Sequence, residues 1–175
     1  NDTWDPDSKE QSPVATQMGT PAADLPAELA GLPPCDQVGL VVRDLERAMA
    51  MYAPLFGPFT TMDGSVQQAS YRGRLADVGL KIAYGRSGDL EIELIEWTGG
   101  ESPHREFIEA GREGMHHIRY RVDDTDHWVE KLRPLGYEAI WYKRWSADTV
   151  FAYLERAGDP TLIEFLQMPA GGPGA

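Results

Sequence analysis

Cysteine is almost absent from this chain: Cys35 stands alone. No intramolecular disulfide can form, which fits a reducing, cytoplasmic compartment. Cys35 itself reads as a small apolar residue and not as a nucleophile. Positive charge is also scarce. Sixteen Lys and Arg face 28 Asp and Glu, a formal net charge of −12. Such a surface repels phosphate backbones and anionic lipid, so neither nucleic acid nor membrane is an expected partner. Long apolar runs are missing too, since none approaches the roughly 20 residues that a membrane-spanning helix needs. The first residues are acidic and polar and carry no signal-peptide pattern.

What is present is enough for a core: 175 residues, 42% of them hydrophobic. Residues 1–34 hold Pro6, Pro13, Pro21, Pro26, Pro33 and Pro34 and few apolar positions before Leu25. They read as a proline-rich extension, with a short helical turn at Ala22–Leu29. Residues 169–175 (PAGGPGA) read as a flexible tail.

Between them lies an internal repeat. Gln37–Leu55 superimposes without a gap on His117–Leu135, so that Val42 matches Val122, Asp44 matches Asp124 and Pro54 matches Pro134. Each copy opens with an apolar strand, then an Asp suited to cap a helix. A helical stripe follows: Leu45, Ala48, Met49 and Tyr52 in one copy, Thr125, Trp128, Val129 and Leu132 in the other. The copies end on EIELIEW (91–97) and TLIEFLQ (161–167). Each has room for two more strands, at Phe59–Asp63 and Val78–Tyr84, and at Glu138–Arg144 and Thr149–Leu154. The chain therefore divides into a βαβββ module over 35–97, a linker over 98–114 with a short helix at Pro103–Ala110, and a second βαβββ module over 115–168.

The repeat places Gln37 and His117 at equivalent points on first strands, and Glu93 and Glu164 at equivalent points on last strands. Strand alternation turns Val38, Leu40 and Val42 toward a helix and Gln37 away from it. The same parity sends His117, Arg119 and Arg121 to the side opposite Ile118 and Tyr120, and separates Glu91 and Glu93 from Leu90, Ile92 and Leu94. His116 falls on the helix side. A carboxylate in the middle of an apolar strand is costly to bury unpaired, and a divalent cation removes that cost. Three oxygens and one imidazole suit one Zn, Ni, Co, Mn or Fe ion. Arg119 is placed to pair with a carboxylate or phosphate of the substrate, whereas Arg121 reads as an exposed residue. Trp97, Tyr142 and Trp145 are candidates to line an apolar part of the pocket. His104 and His127 sit on helices and read as surface residues.

The segments DQVGLVVRDLERAMAMYAPLFG, IELIEW, GMHHIRYRVDD and LIEFLQ resemble the vicinal oxygen chelate superfamily, in particular its glyoxalase I and methylmalonyl-CoA epimerase branch. The resemblance covers about residues 36–167. It implies an α+β fold in which two βαβββ modules form a U-shaped mixed sheet around a metal cleft, with helices on the outside. The set Gln37, Glu93, His117 and Glu164 resembles that of zinc-using glyoxalase I; the epimerases usually have histidine at the position of Gln37. Val41 and Trp97 depart from the glutathione-holding arginine and asparagine of that glyoxalase. Gln67 and Gln68 stand near where the epimerases have a second carboxylate.

The resemblance implies a metal-dependent lyase or isomerase acting beside a carbonyl. Lewis-acid stabilisation of an enediolate or enolate joins a carboxylate base. Glu164 and Glu93 are the catalytic carboxylates, with Glu164 moving the proton. A small, possibly anionic substrate and a homodimer are the expected partners, with the ligands drawn from one chain or from two. The alternative readings are a ligand-sequestering protein of the bleomycin-resistance kind and a tailoring enzyme of secondary metabolism.

Overall fold

A computed structural model describes residues 27–169. The flanking residues 1–26 and 170–175, which include most of the expected extension and tail, lie outside the described part. Of the expected turn at Ala22–Leu29, the described portion is a 3-10 turn at Ala27–Leu29.

The first module begins with β1 (Gln37–Val42) and α1 (Leu45–Phe56). It continues through β2 (Thr60–Asp63), β3 (Val66–Tyr71), β4 (Arg74–Ser87) and β5 (Leu90–Gly100). Helix α2 (Pro103–Glu109) links it to the second module. There follow β6 (Gly114–Arg121), α3 (Thr125–Leu132), β7 (Tyr137–Arg144), β8 (Val150–Arg156) and β9 (Leu162–Gln167). Both first-strand aspartates cap their helices: Asp44 accepts from the Arg47 amide and Asp124 from the His127 amide. Each cap is worth about 1 kcal/mol.

The two strands expected between α1 and the last strand of the first module are in fact three. Strands β2 and β3 both run antiparallel to the long β4, one after the other along the same edge. They are one strand broken at Gly64–Ser65. Between β3 and β4 the chain reverses through Arg72 (φ 46°) and Gly73 (φ 83°), a tight turn with positive φ at both central residues.

The sheet runs β2-β4-β3-β7-β8-β9-β6-β1-β5, and β5 pairs again with β4. Its base is the antiparallel β1–β6 pair, in which Gln37 faces Arg119, Val38 faces Ile118 and Gly39 faces His117. A pseudo-twofold axis therefore passes through Val38 and Ile118. From this base the two modules curve up as the arms of a U. The tips of the arms meet in a short β3–β7 pairing, Ser70 with Tyr142 and Tyr71 with Trp141.

Helices α1 and α3 cover the outside. Leu45 and Ala48 pack on Val42, Ile92 and Leu94, with Met49 and Tyr52 beside them. Trp128 and Leu132 pack on Val122, Leu154 and Phe165. Within the curve a third cluster joins Val41, Leu80, Ile82, Ile95, Trp141, Phe151 and Tyr153, and α2 adds Phe107 to it. Arg72 ties α2 to β8 through Glu106 (2.6 Å) and Glu155 (2.8 Å). No helix among the described residues is long and apolar enough to cross a membrane.

Candidate metal centre

Alternation along β5, β6 and β9 brings three side chains to one point inside the curve. Glu93, His117 and Glu164 each offer a ligand atom, and these atoms lie within 4.8 Å of one another. His117 Nε2 is 3.3 Å from Glu93 Oε2 and 3.2 Å from Glu164 Oε2. One chain supplies all three. The histidine is fully buried, and the two carboxylates are nearly so. The Tyr153 hydroxyl lies 3.4 Å from His117 Nε2.

This pocket of charge fits a divalent cation. Two carboxylates share one histidine, and apart from its 3.3 Å contact with His117 Nε2 no partner of Glu93 Oε2 is found among the described residues. Two buried carboxylates with one imidazole between them leave negative charge uncompensated, which is strongly unfavourable. Gln37 also lies in the interior. Its amide nitrogen donates to Glu91 Oε1 at 2.7 Å, and its Oε1 has no partner among the described residues. An amide so fixed presents its oxygen as a donor atom.

The electrostatics follow the burial. Desolvation pulls the His117 pKa down, but hydrogen bonding to Glu164 and Glu93 outweighs it and raises the value to about 9. The protonated imidazole is what holds the two carboxylates together when no metal does. Burial, and then the field of Glu93, Glu164 and Glu91, pushes the Tyr84 hydroxyl far up, so it remains a neutral phenol.

Backbone shape also serves the histidine. Gly39 lies opposite His117, and a Cβ there would fall inside the imidazole ring. On its other side His117 Nδ1 meets His116 Nδ1 at 3.1 Å. His116 turns its Nε2 to the Pro103 carbonyl (3.4 Å) and stacks on His104. It therefore lies against α2 and outside the three-ligand cluster.

A cavity of about 350 Å³ opens from this cluster and is lined in part by Leu80, Ile82, Tyr84, His104, Trp141, Trp145, Phe151 and Arg119. Trp145 stands at its rim, about half exposed. Arg119 reaches the cavity, but its guanidinium is engaged by Asp36 (3.0 and 2.8 Å) and Glu91 (3.3 Å). Two expected lining residues are not there. Tyr142 points to the helical face, packs with the α3 cluster and donates to Asp126. Trp97 is partly buried beside the inner cluster, and its indole donates to the Gly100 carbonyl. His127 is exposed as expected, but His104 is completely buried rather than on the surface. Gln67 and Gln68 are exposed, while Asp63 of β2 reaches the cavity.

Tyr84, Tyr153 and Asp63, not singled out in the sequence, line the cavity as well. The first two were within reach of strand parity, since Leu80, Ile82 and Tyr84 share one face of β4, and Phe151 and Tyr153 one face of β8.

A fold built from two βαβββ modules, with a His-and-carboxylate centre on their inner strands, defines a class. The chain belongs to the Glyoxalase/Bleomycin resistance protein/Dioxygenase superfamily, whose family model matches residues 36–153. Among curated proteins it is similar to the mitochondrial methylmalonyl-CoA epimerase of Homo sapiens. The two are 27% identical over 131 residues, which span 72% of this chain and 69% of the human protein. Among solved structures it is similar to hypothetical protein BH1468 from Bacillus halodurans C-125, with TM-score 0.55 and 23% identity over 76% of this chain and 92% of that one. The methylmalonyl-CoA epimerase of Mycobacterium tuberculosis gives TM-score 0.52 and 20% identity over 78% and 89%. At these identities the structural likeness is one of fold.

Proposed function

We propose that the chain is a metal-dependent isomerase of the epimerase type, which moves a proton on the carbon beside the carbonyl of a small acyl substrate. One observation carries the reading: Glu93, His117 and Glu164 converge in the interior with their ligand atoms within 4.8 Å of one another. The unpartnered Gln37 Oε1 is the fourth donor. The similarity to the curated human protein named methylmalonyl-CoA epimerase supports this branch of the superfamily over its others.

A divalent metal held by these residues supplies Lewis acidity, which makes a C–H beside a carbonyl more acidic. The chain's own groups do the rest. Glu164 takes the proton at a carboxylate oxygen from one face of that carbon, and return of a proton to the opposite face of the planar enolate inverts it. Glu93 and His117 hold position, fixed by the β1–β6 and β1–β5 pairings on either side of Gly39. The apolar walls exclude water, which strengthens each electrostatic contact inside.

The test combines metal analysis with isotope exchange. Protein purified without chelator should hold about one equivalent of transition metal, and His117→Ala should lose it. With a panel of acyl thioesters in deuterium oxide, wild type should wash deuterium into the carbon beside the carbonyl, and Glu164→Gln should not. Metal binding without exchange on any thioester would refute the isomerase. The ligand-sequestering alternative would then stand.

A further inference from the structure

We infer that the group this cavity accepts beside the reacting carbonyl is neutral and apolar, of aromatic size, and not a second carboxylate. The inference rests on the metal-centre reading and specifies its substrate class.

Size comes first. The cavity measures about 350 Å³, whereas a cavity of about 150 Å³ already holds benzene. There is room for an aryl or large branched group in addition to the reacting head.

Chemistry comes second. Away from the carboxylates the walls are Leu80, Ile82, Ile95, Trp141 and Phe151, all buried behind and packed into the inner cluster. Trp141 and Phe151 lie 4.5 Å apart between ring centroids, and Trp145 extends the aromatic surface from Phe151 at 5.4 Å. Met62 and Trp145 leave apolar surface open at the rim, 40% and 52% exposed. Exposed apolar side chains gathered at a cavity mouth mark a site for an apolar ligand.

Charge comes third. The carboxylates lining the cavity are Asp63, Glu93 and Glu164, and the basic residue among them is Arg119. Its guanidinium is already paired with Asp36 and Glu91. With Glu93 and Glu164 engaged by the metal, a second substrate carboxylate would still meet Asp63 and no open cationic side chain among the described lining residues, which disfavours it at short range. A neutral aryl group meets dispersion contacts along Leu80, Ile82, Ile95, Trp141 and Phe151.

Three hydroxamates test this on zinc-loaded protein by calorimetry: acetohydroxamate, benzohydroxamate and the carboxylate-bearing monohydroxamate of succinate. Benzohydroxamate should bind about tenfold or more tighter than acetohydroxamate, and the succinate compound no tighter than acetohydroxamate. Trp145→Ala, at an exposed position that leaves the core intact, should weaken benzohydroxamate about three- to tenfold and spare acetohydroxamate. Equal affinities, or a preference for the carboxylate, would overturn the inference and leave the metal centre standing. A second arm uses naphthol, which has no chelating head, on metal-free protein with tryptophan fluorescence as the signal. Binding that the cavity-filling Ile82→Trp abolishes supports the apolar chamber even if zinc fails to bind. Absence of naphthol binding overturns it.

Discussion

His116 Nδ1 lies 3.1 Å from His117 Nδ1, with the two rings nearly perpendicular at 88°. His116 is buried, its pKa driven well down by desolvation and by the neighbouring histidines, so it is neutral. With its Nε2 proton given to the Pro103 carbonyl, its Nδ1 lone pair is left to accept from His117 Nδ1–H. That fixes the tautomer in which His117 Nε2 faces Glu93 and Glu164. An acceptor behind a metal-binding imidazole raises affinity by orienting the ring. His116→Leu should therefore weaken metal binding about ten- to a hundredfold, measured by competition with a chromophoric chelator.

Gly39→Ala should strike the same ring from the opposite side. Its methyl would occupy the space of the His117 imidazole, which must then rotate away from the carboxylates. Overpacking of this kind costs about 1–3 kcal/mol. The variant should fold, with a lower Tm, and retain little metal, checked by thermal unfolding beside elemental analysis.

Metal uptake should release a proton. In the metal-free protein His117 is protonated at pH 7, because its pKa is raised to about 9. A metal must displace that proton, so apparent affinity should climb about tenfold per pH unit and level off above that pKa. Calorimetry in buffers of differing ionisation enthalpy should give close to one proton released per metal at pH 7.

Acid should destabilise the fold through His104. Burial, and then the charge of His117, depresses its pKa from 6.5 to about 3. In that window the unfolded chain binds a proton and the folded chain does not. The stabilisation is thus complete above pH 6.5 and is lost as the pH falls. The slope for one proton is about 1.4 kcal/mol per pH unit. His104→Gln should flatten the dependence of urea unfolding on pH between about 6.5 and 4 by one such slope.

Arg119 should behave as a structural residue. It is 4% exposed and bound to Asp36 and Glu91. Arg119→Met would take the nearer guanidinium from the buried Glu91, leaving it Gln37 and the more distant Arg86, and cost about 3 kcal/mol, read by chemical denaturation. A residue whose main task was to hold substrate would alter KM and leave stability unchanged.

The inner face of the molecule was readable where alternation is clean. Val38, Leu40 and Val42 against Gln37 and Gly39, and Ile118 and Tyr120 against His117 and Arg119, assign their faces without ambiguity. Tyr142 was not readable, because Ile140, Trp141 and Tyr142 are consecutive large apolar residues and the β7–β8 register shifts between Ala139 and Trp141. Strand β3 was hidden by Arg72, a non-glycine residue in a left-handed turn. His104 was hidden because α2 has only seven residues, too few to show a period, although it buries Pro103, His104 and Phe107.

The pseudo-twofold through Val38 and Ile118 relates Gln37 to His117 and Gly39 to Arg119. Each first-position side chain therefore faces the third-position residue of the other module: His117 faces Gly39, and Gln37 faces Arg119. Two copies of the second module, paired in this way, would set an arginine where the histidine ring needs a hole. Two copies of the first would leave the hole and bring no histidine. The centre is thus a property of divergence, and joining both halves in one chain lets one supply the ring while the other supplies the space.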